Sequence, residues 1–301
     1  MKLRLSPLKF VDLLVVAVCV AIFISIPLTS PPPPPLVKSA TTSALTIPQA
    51  KETSTTVPVL TANAIYVFDP DSGTEIYQKN STDRFYPAST TKLMTALVAL
   101  SAYNLDEVLT VKSAGDALGQ SIHLAAGDRL TVENLLFGLL VDSGNDAALV
   151  LAENYPGGYT QFIGRMNQKV RELDLESTHF TNVTGLYNPG HYTSAADLTL
   201  IAREAISDAT IRKIVSTKNV TFTDVTGSKK FILESTNKLL GIDGVKGLKT
   251  GWTPESGECL VTLVTRDGKS VLITLLNSTD RFGESVKLIN WVYDNYEWKS
   301  I

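Results

Sequence analysis

The chain has 301 residues, 44% of them hydrophobic, and a formal charge of −3. That suits one or two globular domains with a sizeable core, and so mild an acidity, with no basic stripe, excludes a nucleic-acid partner. Two cysteines, Cys19 and Cys259, exclude a disulfide framework, and His123, His179 and His191 have neither H-E-x-x-H nor C-x-x-C spacing, so no metal is implied.

In chain order, Lys2, Arg4 and Lys9 precede the uncharged run Leu13 to Leu28, LLVVAVCVAIFISIPL. Extended by Phe10 and Val11 it reaches the length of a membrane span, and the positive flank keeps residues 1–9 cytoplasmic while sending the rest outward. The expectation is a transmembrane signal-anchor over 10–28; the alternative is a signal peptide cut near Ala40 or Ala44. Residues 29–60 are rich in Pro, Ser and Thr with few large apolar side chains, which predicts an extended spacer. The globular domain is expected over 61–301.

Within that domain NAIYVFD and TEIYQKN read as two strands joined by the turn PDSG. Helical periodicity follows at about 88–102, 131–155, 158–174 and 195–207. CLVTLVTRDGKSVLITLLN reads as a hairpin turning at Arg266-Asp267-Gly268-Lys269, and GESVKLINWVYDNYEW as a closing amphipathic helix that presents Leu288, Ile289, Val292 and Tyr293 to the sheet. Strands at both ends of the domain with helices between them predict an α+β fold, one antiparallel sheet carrying an inserted helical block.

Three stretches hold polar groups where the pattern calls for apolar ones. YPASTTKLMTALVAL places Ser89 and Lys92 one helical turn apart at the start of a helix that is apolar nearly all round. A lysine that reaches a serine hydroxyl acts as its base only if its pKa falls towards neutrality, which burial and a second cation bring about. Ser-x-x-Lys also occurs at Ser6/Lys9 and Ser235/Lys238, but only Ser89 opens an apolar helix. The plain alternative is a helix cap. VDSGNDAALVLAEN breaks a helical pattern at Ser143-Gly144-Asn145, either a functional turn or a cap for the helix after it. GLKTGWT sets Lys249-Thr250-Gly251 before the strand expected near Cys259, with a glycine suited to close approach of a ligand; otherwise it is a polar turn.

Ser-x-x-Lys, Ser-x-Asn and Lys-Thr-Gly in that order resemble the penicillin-binding proteins and serine β-lactamases. The stretches GDRLTVENLLFGLLVDSGNDAA, TGLYNPGHYTSAADL and TNKLLGIDGVKGLKTGWT carry the resemblance from about Asn63 to Trp298. In particular the chain is similar to the low-molecular-mass D-alanyl-D-alanine carboxypeptidases. The resemblance implies a β-lactamase/transpeptidase-like fold and an acyl-ester nucleophile at Ser89 with Lys92 as its base. It implies a proton relay through Ser143 to the leaving amine and a substrate peptide held by Asn145. It also implies a terminal carboxylate bound by Lys249 and Thr250, and an oxyanion hole from the backbone N–H groups of Ser89 and Trp252.

The implied substrates are peptidoglycan stem peptides ending in D-Ala-D-Ala, the implied inhibitors β-lactams, and no cofactor is needed. A DD-endopeptidase cleaving cross-links and a non-turnover penicillin-binding sensor are the alternatives. A class A β-lactamase is disfavoured, because no E-x-x-x-N spacing occurs in the chain.

Overall fold

The computed structural model describes residues 45–113, 118–242 and 244–301; the expected anchor over 10–28 and the spacer as far as residue 44 lie outside them. In chain order the elements are β1 (Thr46–Ala50), β2 (Ala64–Asp69), β3 (Thr74–Lys79), a 3-10 turn (Ala88–Thr91), α1 (Lys92–Ala102), β4 (Val108–Thr110), β5 (Arg129–Thr131), α2 (Val132–Leu140), α3 (Asn145–Glu153), α4 (Gly158–Glu172), α5 (Ala195–Ser207), α6 (Ala209–Val215), β6 (Asn219–Thr223), β7 (Lys230–Glu234), β8 (Val245–Thr253), β9 (Gly257–Arg266), β10 (Lys269–Ser278), α7 (Arg281–Asn295) and β11 (Tyr296–Ser300).

Five strands form one antiparallel sheet in the order β3-β2-β10-β9-β8. Its two faces follow from the two-residue alternation of the strands. On β9, Cys259, Val261 and Leu263 face the helical block, where they meet α1 and its neighbours; Leu260 and Val264 face α7. The closing helix lays Leu288, Ile289 and Val292 on that second face, with Tyr293 half-buried beside them, as its periodicity predicts. On the first face α1 is buried over most of its surface: Leu93, Met94, Ala96 and Ala99 are wholly buried, with Leu97 and Leu100 half-buried. Burying one Leu or Met side chain contributes roughly 1.5–3 kcal/mol, so this helix is a rigid platform for its first turn.

The structure differs from the sequence reading in four places. First, the helix expected from residue 88 opens as the 3-10 turn Ala88–Thr91 and becomes α-helical only at Lys92; the break expected at Ser143-Gly144-Asn145 does divide 131–155 into two helices, α2 and α3. Second, the spacer expected over 29–60 is not free of the domain in its described part, because β1 pairs antiparallel with β11 from Thr46↔Ser300 to Ala50↔Tyr296. A segment without a core of its own can still add to an exposed strand edge, and Thr46 and Ile47 suit that. Lys51 then donates to the carbonyls of Tyr293 (3.2 Å) and Asp294 (2.7 Å) at the end of α7, where a cation is favoured.

Third, the closing helix stops at Asn295. From Tyr296 the chain alternates, Tyr296 and Trp298 towards the core and Glu297 and Lys299 outward, which is strand and not helix periodicity. Trp298 Nε1 donates to Asp69 Oδ2 at 2.6 Å. Fourth, Lys249-Thr250-Gly251 do come before the strand expected near Cys259, which is β9, but they are not a turn; they lie inside β8, the edge strand of the sheet. The short elements β4, β5, α6, β6 and β7 carry too few residues for a periodicity to be read.

Candidate active site

The site forms where the edge strand β8 passes the start of α1. That approach is tight: a Cβ on Gly251 would lie 3.0 Å from the backbone N of Ser89 and 2.9 Å from Pro87 O. From the other side the 182–186 segment presses on the same turn, and a Cβ on Gly185 would lie 1.8 Å from Ala88 O. Ala88 itself is held at φ +47, in the left-handed region that a residue with a Cβ seldom adopts. Strain of this kind persists only where the surroundings enforce it.

Ser89 is not a helix cap. The 3-10 turn has Pro87 at its N-cap position and makes no side-chain cap bond, and Thr90 Oγ1 donates to Pro87 O at 2.6 Å. The Ser89 hydroxyl is left to Lys92, whose Nζ lies 2.9 Å from Ser89 Oγ. Lys92 is fully buried; its Nζ also lies 2.6 Å from Asn145 Oδ1 and 3.0 Å from Thr184 O. Both of those oxygens can only accept. A neutral amine has two N–H donors and one lone pair, so donating to Asn145 and Thr184 turns the lone pair towards the Ser89 O–H. Burial first, and then the cation of Lys249, push the Lys92 pKa far down, so the neutral form is the one this setting favours.

A second lysine–serine pair stands opposite. Ser143 occupies the turn between α2 and α3 at φ +66, and Lys249 Nζ donates to its Oγ at 2.9 Å and to Thr250 O at 3.1 Å. Burial and the nearby guanidinium of Arg281 lower Lys249 to about 7, while Asp142 opposes them. Asn145 opens α3; its Nδ2 donates to Leu118 O, and a second N–H of the amide is left for a ligand carbonyl. Asp146 fixes the loop above, accepting from Ser121 Oγ (2.7 Å), Ile122 N (3.1 Å) and Leu124 N (3.0 Å).

Every residue expected at the site is therefore brought together. Ser89, Ser143, Asn145, Thr250 and Trp252 line one open cleft of about 700 Å³, and Lys92 and Lys249 lie beneath it. Trp252 is 60% exposed at its rim.

One residue was not foreseen. Arg281, in the first turn of α7, enters the cleft beside Thr250, and its Nη1 donates to Gly251 O at 2.6 Å. Its Nε is buried without a partner, a donor that a ligand would satisfy. The sequence offered only an arginine after the capping Asp280, with nothing local to connect it to a strand that ends at Thr253.

His191 is buried and structural. Thr181 N donates to its Nδ1 (3.0 Å), so Nε2 carries the proton and bonds Thr91 Oγ1 (2.8 Å), and burial lowers its pKa to about 3. His123 and His179 are exposed. Among the described residues no group of three or more His, Cys, Asp or Glu side chains is placed to hold a metal, and no helix is long and apolar enough to cross a membrane.

The geometry has counterparts. Residues 51–280 match the model of the peptidase S11 family, D-alanyl-D-alanine carboxypeptidase. A D-alanyl-D-alanine carboxypeptidase of Streptomyces sp. strain K15 is 38% identical over 267 residues, covering 82% of this chain and 92% of that protein. The carboxypeptidase DacF of Bacillus subtilis is 34% identical over 246 residues, which are 78% of this chain but only 63% of the relative's length. Among solved structures, the Streptomyces K15 DD-transpeptidase superposes with a TM-score of 0.76 at 37% identity, covering 80% of this chain and all of the other. Penicillin-binding protein D2 of Listeria monocytogenes, solved in an ampicillin-bound form, gives a TM-score of 0.70 at 31% identity over 79% of this chain and all of the other.

Proposed function

We propose, because the chain belongs to the D-alanyl-D-alanine carboxypeptidase family of serine peptidases, that it removes the terminal D-alanine from peptidoglycan stem pentapeptides through an acyl-enzyme on Ser89. The observation that carries this reading is the Ser89–Lys92 pair, a buried amine whose two other neighbours can only accept.

The substrate carboxylate binds at Lys249, Thr250 and Arg281, where two cations meet a hydroxyl. Lys92 takes the Ser89 proton as Oγ attacks the penultimate carbonyl. The backbone N–H groups of Ser89 and Trp252, on the facing segments that meet at Gly251, receive the developing oxyanion. Ser143, hydrogen-bonded to Lys249, both donates and accepts, so it hands its proton to the departing amine of D-alanine and takes in return the one that Lys92 received, which leaves Lys92 neutral. Water then attacks the ester with Lys92 again as base. A β-lactam enters as the same kind of acyl donor and leaves Ser89 acylated.

In the same proposal the apolar run from Leu13 to Leu28 tethers the domain to the outer face of the cytoplasmic membrane, a reading supported by the positive charges ahead of it. Extraction of membranes with alkaline carbonate would release the protein if that run were cleaved.

The activity is tested by incubating the protein with diacetyl-Lys-D-Ala-D-Ala and following release of D-alanine by mass spectrometry, alongside labelled penicillin. One D-alanine per peptide is expected, and Ser89→Ala should abolish both turnover and labelling. Absence of turnover in folded wild-type protein refutes the reading.

A further inference from the structure

A second cavity, of about 390 Å³, adjoins the catalytic cleft, and nothing in the mechanism above uses it. Glu255 lines both cavities. The wall between them is an aromatic pair: Tyr86 of the second cavity meets Tyr187 of the cleft edge-on, ring centres 4.9 Å apart. Glu255 is close enough to act on Tyr187, whose phenol is pushed up first by Tyr86, then by burial and by this carboxylate.

The far side holds Arg84, its guanidinium 4.4 Å above the Tyr192 ring. Among the described residues neither Glu255 nor Arg84 is paired with an opposite charge. The floor is fixed in advance. Asn63 Nδ2 donates to Asn277 Oδ1 (2.7 Å), and Asn277 Nδ2 donates to Ser256 O (2.9 Å).

The position of this cavity relative to the chemistry gives it a meaning. With the substrate carboxylate at Thr250, an extended peptide on the free edge of β8 runs towards Thr253 and Glu255, advancing about 3.3 Å per residue. Its penultimate residue sits at Ser89, and the side chain of the residue before that arrives at Glu255.

We propose that the second cavity is a donor-side subsite for a side chain ending in both an ammonium and a carboxylate, the ammonium meeting Glu255 and the carboxylate meeting Arg84. The subsite deepens the DD-carboxypeptidase reading and rests on it for the direction of the bound peptide. Two exposed ion pairs of this kind are each worth up to about 1 kcal/mol, so together they give a preference of roughly ten- to thirtyfold.

The test compares three acyl donors that differ only in this side chain: diacetyl-Lys-D-Ala-D-Ala, its analogue with a free ε-amine, and the diaminopimelyl analogue bearing amine and carboxylate. The order of kcat/KM is expected to rise along that series, by about tenfold or more from first to last. Glu255→Gln should remove the gain from the amine, and Arg84→Ala the gain from the carboxylate, each leaving the diacetyl peptide unchanged.

Equal kcat/KM for all three peptides overturns the subsite, as does a loss in the variants that falls equally on the diacetyl peptide. Calorimetric binding of the same peptides to Ser89→Ala keeps the two readings apart. Graded affinity without turnover in the wild type refutes the peptidase and leaves the subsite standing; turnover with flat affinity does the reverse.

Discussion

At the scale of residues, the site is two buried lysines that lose their protons in turn. Lys92 is the first to do so, since it is buried with the cation of Lys249 beside it; Lys249 holds its own until about pH 7. In the proposed reaction acylation needs Lys92 neutral to accept the Ser89 proton, and binding needs Lys249 charged to hold a carboxylate. The expected kcat/KM profile is a bell that rises as Lys92 deprotonates and falls as Lys249 does. The apparent values belong to the pair, because the two amines feel each other. Arg281 is the cation that lowers Lys249 after burial has done so. Arg281→Gln removes it, so Lys249 keeps its proton to higher pH and the alkaline limb moves up. The same substitution takes a donor from the carboxylate site, so KM should rise by about tenfold, the scale of one charge-assisted hydrogen bond. A variant that raised KM with the alkaline limb unmoved would assign Arg281 to binding alone.

At the scale of elements, the reactive turn is set by backbone pressed on backbone. Asn182 Oδ1 accepts from Thr184 N (3.1 Å) and Gly185 N (2.7 Å), shaping a loop that touches Ala88 and delivers the Thr184 carbonyl to Lys92. Gly185, at φ +87, has no room for a side chain. Gly185→Ala is expected to cost about 3 kcal/mol or more, a fall in Tm of roughly 6–12 °C, and to slow acylation by labelled penicillin in the protein that still folds. An unchanged melting curve would mean that the loop yields freely.

This layer also separates what could be read in the sequence from what could not. Ser89 with Lys92, and Ser143 with Asn145, are local pairs whose spacing alone puts them together, and α1 announces its burial by being apolar all round. Arg281 meets Gly251 only because β8, β9 and β10 pair in register and return α7 to the cleft, a relation between distant segments that no local pattern carries. Lys249-Thr250-Gly251 read as a segment ahead of a strand, or a polar turn, because a lysine and a glycine weaken the strand signal. In the fold Lys249 is buried for its charge and Gly251 is bare for close approach. The β1 segment was hidden by its composition, since Ser, Thr and Pro describe a solvated chain equally well when it lies along a borrowed edge.

At the scale of the whole molecule, the domain between residues 45 and 301 is closed by its own ends. β1 and β11 pair on the side of α7, and neither lines the catalytic cleft. A protein beginning at residue 52 loses that ladder and the Lys51 contacts with the end of α7. Against one beginning at residue 45 it should melt several degrees lower, as a loss of about 1–3 kcal/mol implies, yet acylate at a similar rate at 25 °C. Equal melting temperatures would show that the pairing adds nothing to stability.

The strand order β3-β2-β10-β9-β8 also fixes when the enzyme can come alive. β2 has to wait for β10, which is made some two hundred residues later, before it gains its second neighbour, and β8 has no sheet to join until β9 and β10 have come together. Pairings over such separations form late and slowly. Ser89 is thus synthesised early but lacks the strand that faces it in every nascent chain that has not passed residue 278. The order of the strands acts as a timer, leaving the proposed nucleophile without a complete site until the whole domain has arrived.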